Sequence, residues 1–470
     1  MERFEVLVIG AGAAGLVAAS RAAARGCSVL LVEKNAKAGV KVLMSGGTRC
    51  NLTQATDAAG IAAAFGREQG SFLRSALARL DPEGVVAMFR AAGVATKVEP
   101  GGKVFPASDS AVDVQRALLA ILAASGAELR LKTPVTNVGR GGGDFVAPPP
   151  AGEIAAERVV LTVGGQSYPG CGTTGDGYAW AKAFGHRIVP PRPALVPLLS
   201  PAAWVAELQG VAIADAVVTM RSASDLPPAP RSRGRRQTER GAQGVRGALL
   251  FTHFGLSGPA PMNASGIVTA QPHAGEWSAS CDFAPDVTAE SLAAALAAAA
   301  QDSGKRTATS WLADLLPRRL AEALASHAGV SGERRLAELS KADRAALVAA
   351  IKSTAVPIAG TQGFKKAEVT AGGVDLREVD SRTMASKLCP GLFFAGEILD
   401  LDGPIGGYNF QAAFSTGALA GDAACPPEVH IRAERPPRTR IEAPVTWRIK
   451  GRPWSFRPVW RDSYSPQQTR

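Results

Sequence analysis

Cysteine is scarce in this chain of 470 residues: Cys27, Cys50, Cys171, Cys281, Cys389 and Cys425 stand far apart. None forms a CxxC pair, and no histidine lies near one at zinc-ligand spacing. Neither a disulfide framework nor a metal site is expected, and a reducing cytoplasm is the simplest setting. Long apolar runs are missing too. Even the alanine-rich 292–300 falls well short of the roughly 18–20 residues that cross a bilayer, so no membrane helix is expected. The stretch after Arg3 imitates a secretory leader, but Glu5 interrupts it and its glycines have another use. Aromatic residues make up only 6% of the chain, yet 46% is hydrophobic, which excludes a largely disordered polymer. At roughly 100–200 residues per domain, the length allows two to four domains with ample core.

The formal charge of +11 is concentrated. Residues 227–247 carry six arginines against Glu239, and residues 426–470 carry ten basic against four acidic side chains; together they hold the whole excess. Both segments are rich in Pro or Gly and lack an apolar period, so they read as a surface loop and a tail. The tail interleaves Trp447, Trp454, Phe456, Trp460 and Tyr464 with arginines. Rings that stack on bases and arginines that meet phosphates would suit RNA, whereas a plain extension packed through its tryptophans is the simpler reading.

The first thirty-three residues carry a connected signal. Residues 4–9 form an apolar strand that runs into Gly10-Ala11-Gly12-Ala13-Ala14-Gly15. A helix-like segment over 16–25 and a second apolar strand over 27–32, ending at Glu33, follow. Gly10 suits the tight turn, Gly12 the approach of a pyrophosphate, and Gly15 the packing of helix on strand. The helix start offers free N–H groups to phosphate, and Glu33 can accept from ribose hydroxyls. Strand, turn, helix, strand and acid in this order point to an adenine dinucleotide. Two later features favour FAD over NAD: the strand 158–163 running into Gly164-Gly165, and the strand 392–395 ending in Gly396-Glu397. A simple NAD domain has no need to return to its cofactor so late.

These pieces resemble the three-domain FAD flavoproteins that include BaiN-type bile-acid reductases and aminoacetone oxidases. The likeness spans about 4–424. Its carriers are VIGAGAAGLVAA at 8–19, KVLMSGGTRCNLT at 41–53, GKVFPASDSAVDV at 102–114 and GGQSYPGCGTTGDGYAWAKAFGH at 164–186. PALVPL at 193–198, GALLFTHFGLSGPA at 247–260, AEVTAGGV at 367–374 and GLFFAGEILDLDGPIGGYNFQAAFSTGALAG at 391–421 complete them. Thr48 stands where that family usually has a Gly or another small turn residue, and Phe410 and Ala412 replace more usual aliphatics. The resemblance implies an α/β protein: a Rossmann-like, discontinuous FAD-binding domain over 1–190 and 371–424. A β-barrel-like insertion would occupy 191–285, with its return strand at 353–370, and a helical subdomain 286–352; a basic tail at 425–470 remains. The residues agree, since 191–285 holds Pro-interrupted apolar runs and 286–352 has leucines at helical spacing.

The resemblance also implies the cofactor's contacts. Beside Gly10, Gly12, Ala13, Ala14, Gly15, Glu33 and Lys34, a second cradle would comprise Lys41, Ser45, Gly46, Gly47, Arg49 and Asn51. Val135, Gly164, Gly165, Thr173, Gly175 and Asp176 would join them, with Asp176 also a candidate helix cap. Gly396, Glu397, Gly406, Gly407, Tyr408, Asn409 and Gln411 would lie toward the flavin, where a helix start favours the reduced form. Cys50 reads as packing rather than redox chemistry. For proton transfer the candidates are His253, Tyr408 and Asp400, with Tyr168 as a further wall residue. No second GxGxxG opens a helix after residue 33. NAD(P)H would therefore dock transiently at the flavin, or oxygen or another acceptor would take its electrons.

The expectation is an FAD-dependent oxidoreductase acting on a small organic substrate by hydride transfer, with no membrane partner. A peroxide-forming oxidase of a small amine or ketone is the alternative. A flavin-containing binding protein, whose basic tail engages RNA or another partner, is an alternative of another class.

Overall fold

A computed structural model describes residues 2–148, 152–222, 244–271, 276–302, 305–426, 446–449 and 452–455. Most of the arginine-rich loop and tail, including Arg231 to Arg240, lies outside the described residues. Met1–Pro426 forms one unit and Pro427–Arg470 another. In the second unit, Thr446–Ile449 and Arg452–Ser455 pair as an antiparallel hairpin.

The first core is built on strands apolar on both faces, the pattern of a parallel sheet covered by helices. In β1 (Glu2–Ile9) the last four residues are buried, as is all of β2 (Val29–Val32). Between them runs α1 (Ala13–Ala23), and β1 lies between β2 and the strand Ile154–Leu161, both parallel to it. Glu128–Arg130 extends the sheet beyond β2. The strand Ile154–Leu161 is shared on its other edge: Asp144–Ala147 pairs antiparallel with its start and Leu392–Phe394 parallel with its end. The late strand thus returns the chain to the edge of the nucleotide turn. Gly139–Gly141 and Asp144–Ala147 pair antiparallel as a hairpin.

The closing helix Tyr408–Ala424 lies on α1 at close range. A Cβ on Gly417 would stand 2.4 Å from the Ala14 carbonyl oxygen, and one on Gly421 2.2 Å from that of Ala18. Only glycine lets these backbones meet. Beyond the contact, Asp422 pairs with Arg21 at 2.7 Å, with Arg25 at 3.9 Å and with Arg79. Cys27 and Cys425 then form a disulfide. This corrects the expectation that no cysteines pair. The two are separated by 398 residues and meet only because these helices pack, which spacing along the chain does not reveal.

The second core carries a seven-stranded antiparallel sheet. Its order is 354–358, 277–282, 212–222, 245–252, 255–257, 198–199, 360–361. The two end strands are separated in sequence by Ala359 alone, so the sheet curls back on itself in a barrel-like way. Helices Ala289–Asp302, Ala308–Leu312, Arg318–His327 and Lys341–Ser353 contribute Leu292, Leu296, Leu312, Leu320, Leu324 and Leu347 to the same core. The last begins with a capping box of Ser340 and Asp343. The chain leaves the first core along Ile188–Ala194 and returns along Val369–Val374, and these strands pair antiparallel. Among the described residues, no helix is long and apolar enough to cross a membrane.

Candidate active site

One cavity of about 430 Å³ runs from the turn after β1 to the paired connectors between the cores. At its start, Thr162 donates through Oγ1 to the carbonyls of Ile9 and Gly10 at 2.9 and 2.8 Å, which fixes the turn. Gly12 is the N-cap of α1 and no side chain caps it, so the first N–H groups of the helix face the cavity wall that Gly12, Ala13 and Ala14 form. Glu33 accepts from the Ala11 N–H at 2.9 Å and the Asn35 N–H at 2.8 Å. The carboxylate is thereby oriented and still has lone pairs for hydroxyl donors.

The second cradle depends on a broken helix. In α2 (Val40–Thr48), Ser45 is extended and Gly46 and Gly47 are left-handed (φ 56° and 67°), so the backbone unwinds along the cavity. Thr48 is itself left-handed at φ 67°, which explains why a small turn residue suits that position. Lys41 Nζ is held by Glu397 at 2.6 Å, and Lys34 Nζ by Asp176 at 2.6 Å and by the Thr174 hydroxyl at 2.7 Å. Burial works to raise the Asp176 pKa, but Lys34 and Thr174 outweigh it and hold the carboxyl below its usual range. These cations are neutralised within the site.

Most expected cofactor residues share this cavity: Val135, Gly164, Thr173, Gly396, Gly406, Gly407, Asn409 and Asn51 join those of the two cradles. Others do not line it. Gly15 packs α1 on its own turn, with a Cβ 1.9 Å from the Gly10 oxygen, and Gly165 abuts Thr370. Gly175, not Asp176, is the N-cap of the helix Asp176–Ala183, because the carboxylate is drawn to Lys34 instead. Arg49 is turned away by its own partners: it bonds Glu99 at 2.7 Å and lies over the Phe105 ring. Gln411 is buried as a lock, accepting from Thr53 Oγ1 at 2.6 Å and donating to the Leu80 carbonyl and Ser415 at 2.9 Å.

The proton-transfer candidates fare worse. His253 occupies an exposed hairpin turn beside Phe254 and does not line the cavity. Asp400 accepts from the Gly372 N–H at 2.9 Å, bracing the return strand, and Tyr408 lies against Gly406. Cys50 is fully buried, its thiol pushed up to about 12 by desolvation, which fits packing and not redox work. Tyr168 does line the cavity, and Cys171, Met44, Leu195, Glu368 and Ile405 join it there without having been singled out for that role by the sequence. Glu368 was detectable as the last charge before the uncharged segment 369–374, two residues after Lys366.

The chain's own geometry fits FAD. A Cβ on Gly12 or Gly47 would meet nothing within 4 Å, so both backbones open onto free space. Asn51 Oδ1 is buried without a hydrogen-bond partner, an acceptor waiting for a donor. Gly12, Ala13 and Ala14 would hold the pyrophosphate, Glu33 the ribose, and Asn51, Gly407 and Asn409 the far end.

Comparison with known proteins agrees. A family model described as HI0933-like protein Rossmann domain matches residues 4–423. The ribosomal RNA dihydrouridine synthase of Escherichia coli (strain K12) is 35% identical over 419 residues, covering 88% of this chain and 96% of that protein. The protein of the same name from Haemophilus influenzae is 32% identical over 418 residues, covering 88% and 96%. The 3-dehydro-bile acid delta(4,6)-reductase of Clostridium scindens is 31% identical over 433 residues, covering 91% and 99%, and bears out the resemblance drawn from the motifs. The chain belongs to the HI0933-like Rossmann-domain family and is an FAD-dependent oxidoreductase.

Proposed function

We propose that this oxidoreductase reduces a carbon–carbon double bond conjugated to a carbonyl group, with reduced nicotinamide as the electron source and a uracil ring in RNA as the substrate. The observation that carries the reading is the continuity of the cavity. It leads from the nucleotide turn to a wall that mixes apolar side chains (Leu195, Val369, Ile405) with the proton-bearing Tyr168 and Glu368. Such a wall suits a flat ring that must be shielded from water and protonated once.

The relatives' names describe one bond type. Dihydrouridine is uridine with its ring double bond, conjugated to a carbonyl, saturated; a 3-dehydro-delta(4,6) bile acid carries the same conjugation. FAD, when bound, supplies the hydride for such a reduction. The chain's residues bind and orient: the helix start holds phosphate, Asn51 positions the reacting end, Asn409 braces the 403–404 loop, and the apolar wall excludes water. RNA is preferred because the surplus of +11 suits a phosphate backbone. A base reached in this cavity must leave its stack. A free steroid-like enone is the second reading, favoured by the apolar wall.

The test uses the full-length holoprotein, reduced anaerobically with NADH or NADPH. It is mixed with unmodified ribosomal RNA, with a fragment lacking residues 427–470 as a parallel arm, and separately with a steroid 4-en-3-one. Return of the yellow band with dihydrouridine in the RNA supports the proposal, and weaker, less salt-sensitive binding by the shortened chain assigns the RNA contact. Oxidation by the enone alone favours the second reading. Oxidation by neither, with peroxide formed from amines, overturns both.

A further inference from the structure

The cavity holds two groups that no binding role absorbs. Glu368 immediately precedes the return connector and Leu195 follows the outgoing one. The Glu368 N–H donates to the Leu195 carbonyl at 3.1 Å, and Leu195 takes a left-handed backbone (φ 49°) at this junction. This clamp sets Glu368 on the cavity wall. Glu368 lines the cavity, and its carboxyl makes no hydrogen bond or ion pair among the described residues. Lys41 and Lys103 are the cations that act on it, and Lys41 is already committed to Glu397.

Tyr168 stands on the same wall in a costly conformation. Its backbone is left-handed (φ 55°, ψ 61°), unusual for a bulky residue. Its surroundings over-determine it: the Tyr168 N–H donates to Phe364 O at 3.0 Å, and its carbonyl accepts from the Cys171 N–H at 2.8 Å and from Thr173 Oγ1 at 3.1 Å. The phenol itself has no hydrogen-bond partner among the described residues. Backbone strain concentrated under one unpartnered hydroxyl, at the cavity, points to a task for that hydroxyl. Burial, then the charge of Glu368 and then that of Cys171, raise the phenol's pKa, so it stays a neutral donor. Burial also raises Glu368, against the pull of Lys41 and Lys103. Cys171 is the rival donor, but its thiol proton is engaged by Met44 Sδ at 3.1 Å.

We propose that Tyr168 donates the proton that completes the reduction and that Glu368 restores it, an inference that rests on the reductase reading above. Once a hydride has added to the β-carbon with both its electrons, the displaced π pair becomes an enolate. Its α-carbon takes the proton of the Tyr168 hydroxyl, and the O–H bonding pair stays on the phenolate oxygen. The Glu368 carboxylic acid then returns a proton to the phenolate and is itself recharged from water. The substrate gains two hydrogens and two electrons, and reduced nicotinamide is the net reductant.

Two readouts test it, one of them independent of turnover. The chain has only four tyrosines, so the ultraviolet tyrosinate titration of the apoprotein can be resolved. One step should vanish in Tyr168→Phe and move to lower pH in Glu368→Gln, since a negative charge beside the phenol is removed. In the holoenzyme, Tyr168→Phe should lower kcat by roughly 10²–10⁴-fold with little change in KM, the range of a lost general acid. Glu368→Gln should abolish the fall in rate that wild type shows as pH rises through the Glu368 pKa. Retained FAD in the visible spectrum shows that the variants fold. Wild-type turnover by Tyr168→Phe overturns the donor, and a tyrosinate step unmoved in Glu368→Gln overturns the relay. A wild-type holoenzyme that reduces no conjugated double bond sinks the functional reading instead, while the titration still decides whether the pair is coupled.

Discussion

Two glycines of the nucleotide turn have different physical reasons to be glycine, and substitution separates them. Gly12 has an extended backbone (φ −82°, ψ −168°) open to any residue, and a Cβ there meets nothing within 4 Å. Gly15 has no such freedom, for a Cβ would stand 1.9 Å from the Gly10 oxygen and 2.6 Å from Thr162 Oγ1. Gly12→Val should therefore bring no clash to the apoprotein, only the roughly 1 kcal/mol of a poorer N-cap, while filling the space where a pyrophosphate meets the helix start. Two lost charge-assisted hydrogen bonds at about 1.5–3 kcal/mol each amount to roughly 3–6 kcal/mol. That weakens FAD binding by roughly two to four orders of magnitude. Wild type at a hundredfold excess of FAD over Kd gains about 2.7 kcal/mol of stability from the ligand, and Gly12→Val at the same concentration should gain almost nothing. Gly15→Ala is the control: the clash is with backbone, so the apoprotein itself should melt lower, by roughly the 1–3 kcal/mol of an overpacked core or more. The assay is a thermal melt of flavin-stripped protein followed by FAD titration. Gly12→Val binding FAD within tenfold of wild type, or melting several degrees lower without it, would refute the reasoning.

Two other sites carry predictions of stability. Burial works to raise the Asp422 pKa, but Arg21 and Arg79 outweigh it, so the folded value lies below the unfolded one. Its contribution is then complete above the unfolded carboxylate value of about 3.9 and is lost as pH falls through the folded value. Asp422→Asn should cost roughly 1–3 kcal/mol at neutral pH, discounted because the arginines are partly exposed. The gap from wild type should close in acid; a gap that persists there would refute the assignment. Gln411→Leu leaves the buried Thr53 hydroxyl without its partner and should cost about 1–3 kcal/mol. FAD affinity should hold, since Gln411 does not line the cavity. A loss of affinity would return Gln411 to the cofactor contacts.

The cofactor end was readable because its chemistry is local. Strand, glycine turn, helix start and terminal acid are contiguous from residue 4 to Glu33, and each enforces one step of the geometry found. The second cradle was read from Ser45, Gly46 and Gly47 as donors, but not the break in the helix that carries them, where two consecutive glycines take the left-handed backbone. Where sequence reasoning failed, a side chain had two possible allegiances. Arg49 was expected to serve the cofactor but serves Glu99 and Phe105; Asp176 was expected to cap a helix but serves Lys34. Neither choice is written in spacing. It depends on which opposite charge the fold brings within reach, and here Glu99 lies fifty residues from Arg49.

The connector end of the cavity was obscure for a different reason. Its wall is assembled where the chain crosses between two cores, so Leu195 and Glu368, remote in sequence, become neighbours only through the paired connectors. His253 looked chemically apt, yet the hairpin that carries it belongs to the inserted sheet and projects it to solvent. Chemical aptitude is a property of a residue type, whereas access to the reacting atoms is a property of topology. Relatives at similar identity to this chain bear names as different as a ribosomal RNA dihydrouridine synthase and a bile acid reductase. On the proposed reading the turn serves the cofactor, while the connectors carry the acid and the wall that meets the substrate. Substrate choice should therefore track changes at Leu195, Val369 and Ile405 on the wall, leaving the β1–α1 turn untouched.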